Sequence, residues 1–356
     1  MAQHFHTLKV ARVRREADDA VSLTLEVPPA LRAEFAFAPG QHLTLRRLVD
    51  GEEQRRSYSL CAGLDDGEWR IGVRELPGGL FSTWANRELR AGDEIECMAP
   101  DGAFRLLPQP GAARHVLLVA AGSGITPLLS IAKSVLAREP ASRVTLIYGN
   151  RRVASVMFRE ELEDLKNRHR GRFALYHVFS REPQDIELFA GRLDAARVAR
   201  FLDTLVPVED VDEVFLCGPA AMLDELTALF SARGVAEEHL HVERFGTGEL
   251  PAPVRDAPVA DGPDARVTVI ADGLTRELRL ARNGVSILDA ARAAGLDLPF
   301  SCKSGVCSTC RARLSGGSVT MDRNFALMKA DIDAGFILTC QAHPTSEAVV
   351  VNFDDR

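Results

Sequence analysis

The first third of the chain contains short runs in which apolar and polar positions alternate. Three of these runs, Val21–Val27, Gln41–Leu45 and Arg70–Arg74, are separated by turn signals such as Pro39-Gly40. A period of two residues is typical of strands that have one buried face. The alternation therefore predicts a small antiparallel β-barrel over residues 1–107.

After residue 108 the pattern changes to continuous apolar strands that alternate with helical periods. His115–Ala121 is a nearly unbroken apolar run, as in a strand buried on both faces of a parallel sheet. Amphipathic segments lie between or after the strands, notably Phe158–Asn167 and Ala220–Arg233. The predicted strands are His115–Ala121, Val144–Tyr148, Phe173–Phe179 and Val214–Cys217. This order predicts a doubly wound α/β domain over residues 108–246, with ligands at the carboxyl ends of the strands.

The last part of the chain begins with a segment that has no apolar period. Residues 247–264 are rich in Gly, Pro, Ala and Asp, which is typical of an interdomain linker. Beyond it, two alternating runs flank Asp272-Gly273 as in a hairpin, and a short helix is predicted between Ser286 and Gly295. A small mixed sheet crossed by one helix predicts a β-grasp domain over residues 265–356.

Composition narrows the function classes. The chain has 356 residues, 46% hydrophobic and 26% charged, and a net charge of −7, which argues against nucleic acid as a partner. The longest apolar run, Val116–Ala121, is too short to span a bilayer, and Met1–Lys9 carries no apolar signal segment. We therefore expect a cytoplasmic protein without membrane partners, in which Cys61, Cys97 and Cys217 are small buried hydrophobic residues.

The other four cysteines form the strongest motif in the chain. Cys302, Cys307 and Cys310 have the spacing Cys-x4-Cys-x2-Cys, and Cys340 follows at a distance. This is the plant-type ferredoxin spacing, in which four thiolates hold a 2Fe–2S cluster. Gly305 suits a loop whose backbone approaches the cluster closely. The alternatives are a zinc site, which usually shows two Cys-x2-Cys pairs, or a disulfide.

Three further motifs are weaker when each is taken alone. Arg56–Leu60 places a cation, an aromatic ring and hydroxyls on a strand. Pro77–Thr83 places glycines and hydroxyls before a predicted helix at Trp84–Leu89, where free amides would suit a phosphate. Gly122–Pro127 joins the first α/β strand to its helix as Gly-x-Gly-x-x-Pro. The simpler interpretations are a plain strand, a plain turn and an ordinary βα connection.

Taken together, the three blocks resemble the ferredoxin–NADP reductase family with a plant-type ferredoxin fused at the C-terminus. The resemblance implies that Arg56 holds the flavin pyrophosphate, Tyr58 packs on the isoalloxazine and Ser59 lies near its reactive nitrogen. Gly79 and Ser82 match the Gly-x-x-Ser phosphate turn of the family. This turn favours FAD over the shorter FMN.

The resemblance also implies a nicotinamide site. The residues expected to contact the dinucleotide are Gly122, Gly124, Thr126, Pro127, Cys217, Gly218 and Pro219. Glu243 and Phe245 are expected near the flavin, with Phe245 where some members have a terminal Tyr. Ser59, Cys217 and Glu243 would then surround the site of hydride transfer, where they position groups rather than act as strong acids or bases.

The choice between NADPH and NADH is predicted from the end of one strand. Phe173–Phe179 is followed by Ser180 and Arg181, a hydroxyl and a guanidinium that suit a 2′-phosphate. Arg151 and Arg152 follow the neighbouring strand. The sequence therefore favours NADPH, with NADH possible if these arginines are only solvated or if Glu182 pairs with Arg181.

The number of electrons that each cofactor exchanges connects the three predicted domains. A nicotinamide gives two electrons as a hydride and a 2Fe–2S cluster takes one, so a flavin between them is required. The predicted partner is the oxygenase component of a multicomponent monooxygenase, because the chain lacks the motifs of a di-iron or Rieske centre. Short stretches of sequence such as His241–Phe245 resemble the corresponding stretches of phenylacetyl-CoA epoxidase reductases. The alternatives are a Rieske ring-hydroxylase reductase, such as that of the steroid 9α-hydroxylase system, and a redox sensor with a vestigial reductase half.

Overall fold

The computed structural model describes residues 4–49, 51–246, 264–282 and 284–355. These residues form three units, each with a main sheet of its own, and the C-terminal unit has a second, two-stranded sheet. The predicted linker lies outside the described residues, except for Asp264, which begins a strand. No helix among the described residues is long and apolar enough to cross a bilayer.

The N-terminal unit is a closed antiparallel barrel with one helix. Its elements are β1 (Phe5–Ala17), β2 (Ala20–Glu26), β3 (His42–Val49), β4 (Glu52–Ser59), β5 (Trp69–Arg74), α1 (Leu80–Arg87) and β6 (Glu94–Met98). The strand order is β4-β3-β6-β1-β2-β5. A bridge between Leu60 and Ile71, extended by a 2.8 Å hydrogen bond from Cys61 N to Arg70 O, joins the two edges. The predicted barrel is confirmed.

Helix α1 begins at Leu80, whereas the sequence predicted a helical start at Trp84. The reason is packing, because Phe81 and Ala85 lie one turn apart and are both buried in the barrel core. Ser82 therefore lies in the first helical turn rather than in the loop before it.

The central unit is a five-stranded parallel sheet between two layers of helices. Its elements are β7 (His115–Ala121), α2 (Ile125–Arg138), β8 (Arg143–Asn150), α3 (Arg159–Arg168), β9 (Phe173–Phe179), α4 (Ala195–Thr204), β10 (Glu213–Cys217), α5 (Ala220–Ala232) and β11 (Leu240–Glu243). The strand order is β11-β10-β7-β8-β9. Successive residues of β7 alternate between two cores, with Leu118 packing among α2 and α3 residues and Leu117 among α4 and α5 residues. This explains the unbroken apolar run and confirms the doubly wound fold.

The C-terminal unit is a mixed sheet crossed by one helix, as predicted for a β-grasp. Its elements are β12 (Asp264–Ala271), β13 (Leu274–Ala281), α6 (Ile287–Ala293), β14 (Arg311–Gly316), β15 (Val319–Met321), α7 (Lys329–Asp333), β16 (Phe336–Leu338), β17 (Ala342–Pro344) and β18 (Ala348–Asn352). Asp272 and Gly273 both have positive φ, which is what a tight hairpin turn requires. Ser286 caps α6 by accepting a hydrogen bond from the Asp289 amide.

Candidate functional site

The four motif cysteines meet in two pairs at one end of the C-terminal unit. The thiols of Cys302 and Cys307 lie within hydrogen-bonding range of each other, and so do those of Cys310 and Cys340. The connecting loop turns sharply, with the left-handed backbone angles φ 51° at Lys303, φ 81° at Gly305 and φ 53° at Ser308. A side chain at Gly305 would meet the carbonyl of Arg323 at 3.0 Å. The loop therefore needs glycine at this position.

Backbone and side-chain amides point at these sulfurs. The Ser304 amide lies 3.3 Å from the Cys302 sulfur, the Cys302 amide 3.5 Å from the Cys307 sulfur, and Gln341 Nε2 3.4 Å from the Cys340 sulfur. Such donors stabilise thiolates and tune iron–sulfur clusters. Among the described residues, no three His, Cys, Asp or Glu side chains surround one position for a metal ion. Two neighbouring thiol pairs fit the two irons of a 2Fe–2S cluster.

Ser59, Cys217 and Glu243 are brought together where the N-terminal and central units meet. Ser59 ends β4 and donates a 3.1 Å hydrogen bond to a carboxyl oxygen of Glu243. Cys217 and Glu243 end β10 and β11 as directly paired residues. Desolvation raises the pKa of Glu243 to about 8, against the lowering effect of the Ser59 hydroxyl. Burial, with a smaller contribution from Glu243, raises the pKa of Cys217.

This cluster can hold a proton near neutral pH but provides no thiolate nucleophile. A carboxyl group with a pKa of about 8 is mainly neutral at pH 7, so it places little negative charge beside a ligand that accepts electrons. The positions of the three side chains suit groups that crowd and orient a hydride-transfer site.

Tyr58 and Phe245, the two aromatic residues predicted to contact the ligand, differ in how exposed their side chains are. Tyr58 is partly buried and packs against Phe81 at a centroid distance of 5.6 Å, and Phe81 in turn contacts Trp84 at 5.4 Å. Desolvation raises the pKa of Tyr58, so its phenol stays neutral. The ring of Phe245 is 47% exposed, so this structure leaves it free to cover a ligand.

The predicted phosphate turn lies at the start of α1. No side chain caps the helix at Gly79, so its first amides remain available to an anion. The Ser82 hydroxyl accepts from the Leu76 amide at 3.1 Å and donates to the Gly79 carbonyl at 3.3 Å, so it shapes the turn. Arg56 is exposed and, among the described residues, forms no ion pair with a carboxylate. These features fit a pyrophosphate between α1 and β4.

The glycine loop and the Cys-Gly-Pro segment touch at the carboxyl edge of the parallel sheet. A side chain at Gly124 would lie 2.1 Å from the Cys217 carbonyl, so only glycine allows this approach. Gly218 and Pro219 continue from Cys217 into α5. Gly122 and Gly124 lie in the turn that connects β7 to α2, and Thr126 and Pro127 lie in the first turn of α2. The Thr126 hydroxyl donates to the Ser123 carbonyl at 3.0 Å and so fixes the loop.

The ends of β8 and β9 continue side by side into the predicted 2′-phosphate region. The amide of Arg181 donates to the Arg151 carbonyl at 2.9 Å, and both side chains are exposed. Ser180 is likewise exposed. Glu182 instead accepts a 2.8 Å hydrogen bond from the Val153 amide. Within the described ranges no carboxylate forms an ion pair with Arg181.

The contacts of the C-terminal unit with the other two units were not predicted from the sequence. The units enclose a cavity of about 410 Å³ lined by His42, Phe104, His241, Glu243, Cys307 and Phe325, among others. Beside it, Arg55 of β4 contacts the C-terminal unit. These partners of Arg55 in the C-terminal unit, Asp297 and Leu298, are more than 240 positions away and left no local signal in the sequence.

Three family models match the chain, one for each unit. The oxidoreductase FAD-binding domain matches residues 7–106, the oxidoreductase NAD-binding domain residues 118–227 and the 2Fe-2S iron-sulfur cluster binding domain residues 269–345. The chain is therefore an oxidoreductase with flavin, nicotinamide and iron–sulfur domains. It belongs to the ferredoxin–NADP reductase family, in the group that carries a C-terminal 2Fe–2S domain.

Relatives of known description match over the full length. One component of 1,2-phenylacetyl-CoA epoxidase from Escherichia coli is 43% identical over 352 residues, covering 99% of this chain and 98% of that relative. The ferredoxin reductase component of 3-ketosteroid-9-alpha-monooxygenase from Mycobacterium tuberculosis is 35% identical, covering 100% and 98%. The solved structure of phthalate dioxygenase reductase shares the fold, with a TM-score of 0.57, 24% identity and 98% coverage of both chains.

Proposed function

We propose that this chain is the reductase component of a phenylacetyl-CoA epoxidase, passing electrons from NADPH to the oxygenase. The observation that carries the proposal is the 43% identity to a component of that epoxidase, which extends through all three units. The order of flavin, nicotinamide and cluster domains gives a continuous route from a two-electron donor to a one-electron carrier. We infer a cytoplasmic location, because free thiols and thiolate-held clusters need a reducing compartment.

The side chains of this protein bind, orient and shield the reacting groups. Hydride acceptance and release of single electrons are chemistry that FAD supplies when it is bound. In the proposed site, Arg56 and the start of α1 hold the pyrophosphate, and Tyr58 packs on the flavin ring. The Ser59 hydroxyl keeps the Glu243 carboxyl in place at 3.1 Å, where that group holds a proton near neutral pH.

The nicotinamide and cluster sites complete the proposed route. The contact of Gly124 with Cys217 fixes the turn that would present the dinucleotide, with Gly218 and Pro219 behind it. Cys302, Cys307, Cys310 and Cys340 are the proposed cluster ligands. Ser180 and Arg181 are proposed to bind the 2′-phosphate of NADPH, supported by the absence of a carboxylate partner for Arg181 among the described residues.

A second candidate partner is a Rieske-type oxygenase, favoured by the 35% identity to a steroid monooxygenase reductase component. Reconstitution separates the two. The full-length protein is mixed with NADPH and either the oxygenase components of phenylacetyl-CoA epoxidase or a Rieske steroid oxygenase. We expect NADPH-dependent consumption of phenylacetyl-CoA and little turnover of the steroid. The opposite preference would reject the epoxidase assignment.

Two cysteine variants, one a test and one its control, show whether the cluster is needed for electron delivery. Cys340→Ser should lose the visible absorption of the cluster and support of the oxygenase, while flavin stays bound and an artificial dye is still reduced. Cys97→Ala, which changes a buried cysteine inside the barrel, should keep both activities. An intact cluster spectrum in Cys340→Ser would show that Cys340 is not a ligand.

A further inference from the structure

Arg55 is a buried arginine that joins two units. Its side chain is only 3% exposed, and it reaches from β4 to the segment just before the cysteine loop. One guanidinium nitrogen lies 3.1 Å from an Asp297 carboxyl oxygen, and another donates to the Leu298 carbonyl at 3.2 Å. The guanidinium also lies 4.0 Å from the ring centre of Phe300. A desolvated arginine is stable only when such partners are present.

The charged residues around Arg55 come from both the N-terminal and the C-terminal unit. Glu53 of β4 pairs with Arg55 at 2.9 Å and with Arg292 of α6 at 3.6 Å. Arg292 covers Phe300 at 4.1 Å, so this ring contacts one guanidinium from each unit. Bidentate and stacked contacts of this kind fix orientation as well as distance.

The same strands contact residues next to two cysteines. Ser57 donates a 2.9 Å hydrogen bond to Ser301, which precedes Cys302. His42 of β3 lies 3.4 Å from the hydroxyl of Thr309, which precedes Cys310. The cysteine loop is thus attached to the N-terminal unit at both of its ends.

The alternation of side chains along β4 relates these contacts to the proposed flavin site. Successive side chains of a strand point to opposite faces, so Arg55 and Ser57 share one face of β4 while Arg56 and Tyr58 share the other. The first pair meets the C-terminal unit, and the second pair carries the proposed flavin contacts. One strand therefore contributes to both proposed redox sites, and its last residue, Ser59, which is also expected near the flavin, lies on the same face as Arg55 and Ser57.

We propose that Arg55 is a positioning residue for electron transfer, which holds the C-terminal unit against β4 so that the cysteine loop stays beside the flavin site. This inference rests on the proposed route from flavin to cluster. Arg55 touches neither redox group. It acts by fixing the separation of the two groups, a quantity to which transfer rates are sensitive.

Three variants of the full-length holoprotein test the proposal, each matched for flavin and iron content. Arg55→Gln removes the buried charge, and Asp297→Lys places a repelling charge at a side chain that is 75% exposed, where folding is tolerant. Arg46→Gln is the matched control. Arg46 lies on the neighbouring strand β3 and also pairs with Glu53, but its contacts to Glu96 and Phe5 stay within the N-terminal unit.

Rapid mixing with NADPH follows flavin bleaching and cluster reduction as separate signals. We expect cluster reduction to slow on the order of tenfold in Arg55→Gln and Asp297→Lys, with flavin bleaching unchanged. Hydrogen exchange gives a second readout, which is independent of activity. Peptides covering residues 297–310 should exchange faster in these two variants than in wild type or Arg46→Gln.

The outcomes separate this inference from the proposed function. Wild-type rates of cluster reduction in both variants would overturn the role of Arg55 alone, as would an equal slowing of flavin bleaching. Failure of NADPH to reduce the cluster in the wild-type protein would instead reject the route on which the inference rests.

Discussion

Desolvation is the main cause of the raised pKa of both Glu243 and Cys217. Both lie where strand ends of the central unit face β4, and the cost of removing a charge from water keeps each group protonated near neutral pH. An acidic group that stays neutral can fill space and accept the Ser59 hydrogen bond without repelling a nicotinamide or a flavin. Sequence predicted that these residues would meet, but the protonation state required the structure.

The raised pKa of Glu243 makes a pH-dependent contribution to stability. Unfolding returns its pKa from about 8 to 4.5, so between these values the folded state holds a proton that the unfolded state releases. Stability therefore falls as pH rises through this window. In the apoprotein, Glu243→Gln should reduce the fall in Tm between about pH 5 and pH 8. Glu238→Gln, a change at an exposed neighbour, should match wild type, and equal slopes in all three proteins would contradict the shift.

Arg181 provides the test of nicotinamide choice. A charge-assisted contact with a 2′-phosphate is worth about 1.5–3 kcal/mol. Arg181→Ala should therefore lower kcat/KM for NADPH on the order of 10- to 100-fold and leave NADH nearly unchanged. The control is Arg168→Ala, at the exposed end of α3. Equal losses for both cofactors in Arg181→Ala would show that Arg181 does not bind the phosphate.

At the scale of elements, the sequence predicts strands and turns most accurately where an apolar pattern is sustained or where a turn requires particular residues. β9 was predicted with its exact bounds, and the hairpin at Asp272-Gly273 followed from its turn residues. Helix α7, with five residues, is too short to show a period. Helix α4 was missed although Asp194 caps it by accepting from the Arg197 amide at 2.9 Å.

The candidate site was predictable in its motifs but not in its long-range contacts. Spacing predicted Cys302, Cys307 and Cys310 as neighbours because they share one loop, and the structure places the distant Cys340 beside Cys310. The pairing of Ser59 with Glu243 and of Arg55 with Asp297 spans 184 and 242 positions. Such contacts depend on how the surfaces of two units fit together. No periodic pattern in a single sequence reports which residues of two such surfaces meet.

Gly124 tests the contact between the two turns of the central unit. Gly124→Ala would place a methyl group 2.1 Å from the Cys217 carbonyl, so the β7–α2 turn must shift away from β10. We expect flavin reduction by NADPH to fall on the order of 100-fold, with flavin and cluster content retained. Gly111→Ala, where a methyl group meets open space, should be neutral. Wild-type kinetics in Gly124→Ala would show that the turn does not position the dinucleotide.

At the scale of the whole molecule, the C-terminal unit has a hydrophobic core of its own, whereas the N-terminal and central units share one cluster that joins Ala17, Ala20 and Cys61 to residues of β7 and α2. The hydrophobic cluster of the C-terminal unit contains only residues beyond 264, and the other three clusters contain only residues before 245. We propose domains at 1–107, 108–246 and 265–356, with 247–264 as the linker. The first boundary follows the change from the antiparallel barrel to the parallel sheet, and the second follows the separate C-terminal core. Charged and hydrogen-bonded contacts such as those of Arg55 then join the C-terminal unit to the other two units, whose cores contain none of its residues.

This separation of cores predicts the behaviour of a truncated protein. A fragment of residues 1–246 should fold and bind FAD, because none of its core residues packs on the removed unit. Arg55 would lose Asp297 and Leu298 but gain water and keep Glu53. The fragment should reduce an artificial dye with NADPH at nearly the full-length rate.

The same fragment should fail to support the oxygenase, because the carrier of single electrons is gone. Full-length Cys340→Ser is the matched control, since it keeps the C-terminal unit but should lose the cluster, and it should fail in the same way. The measurements are dye reduction and oxygenase turnover for both proteins beside wild type. If the fragment drives the oxygenase at the wild-type rate, electrons leave from the flavin and the C-terminal unit is not on their path.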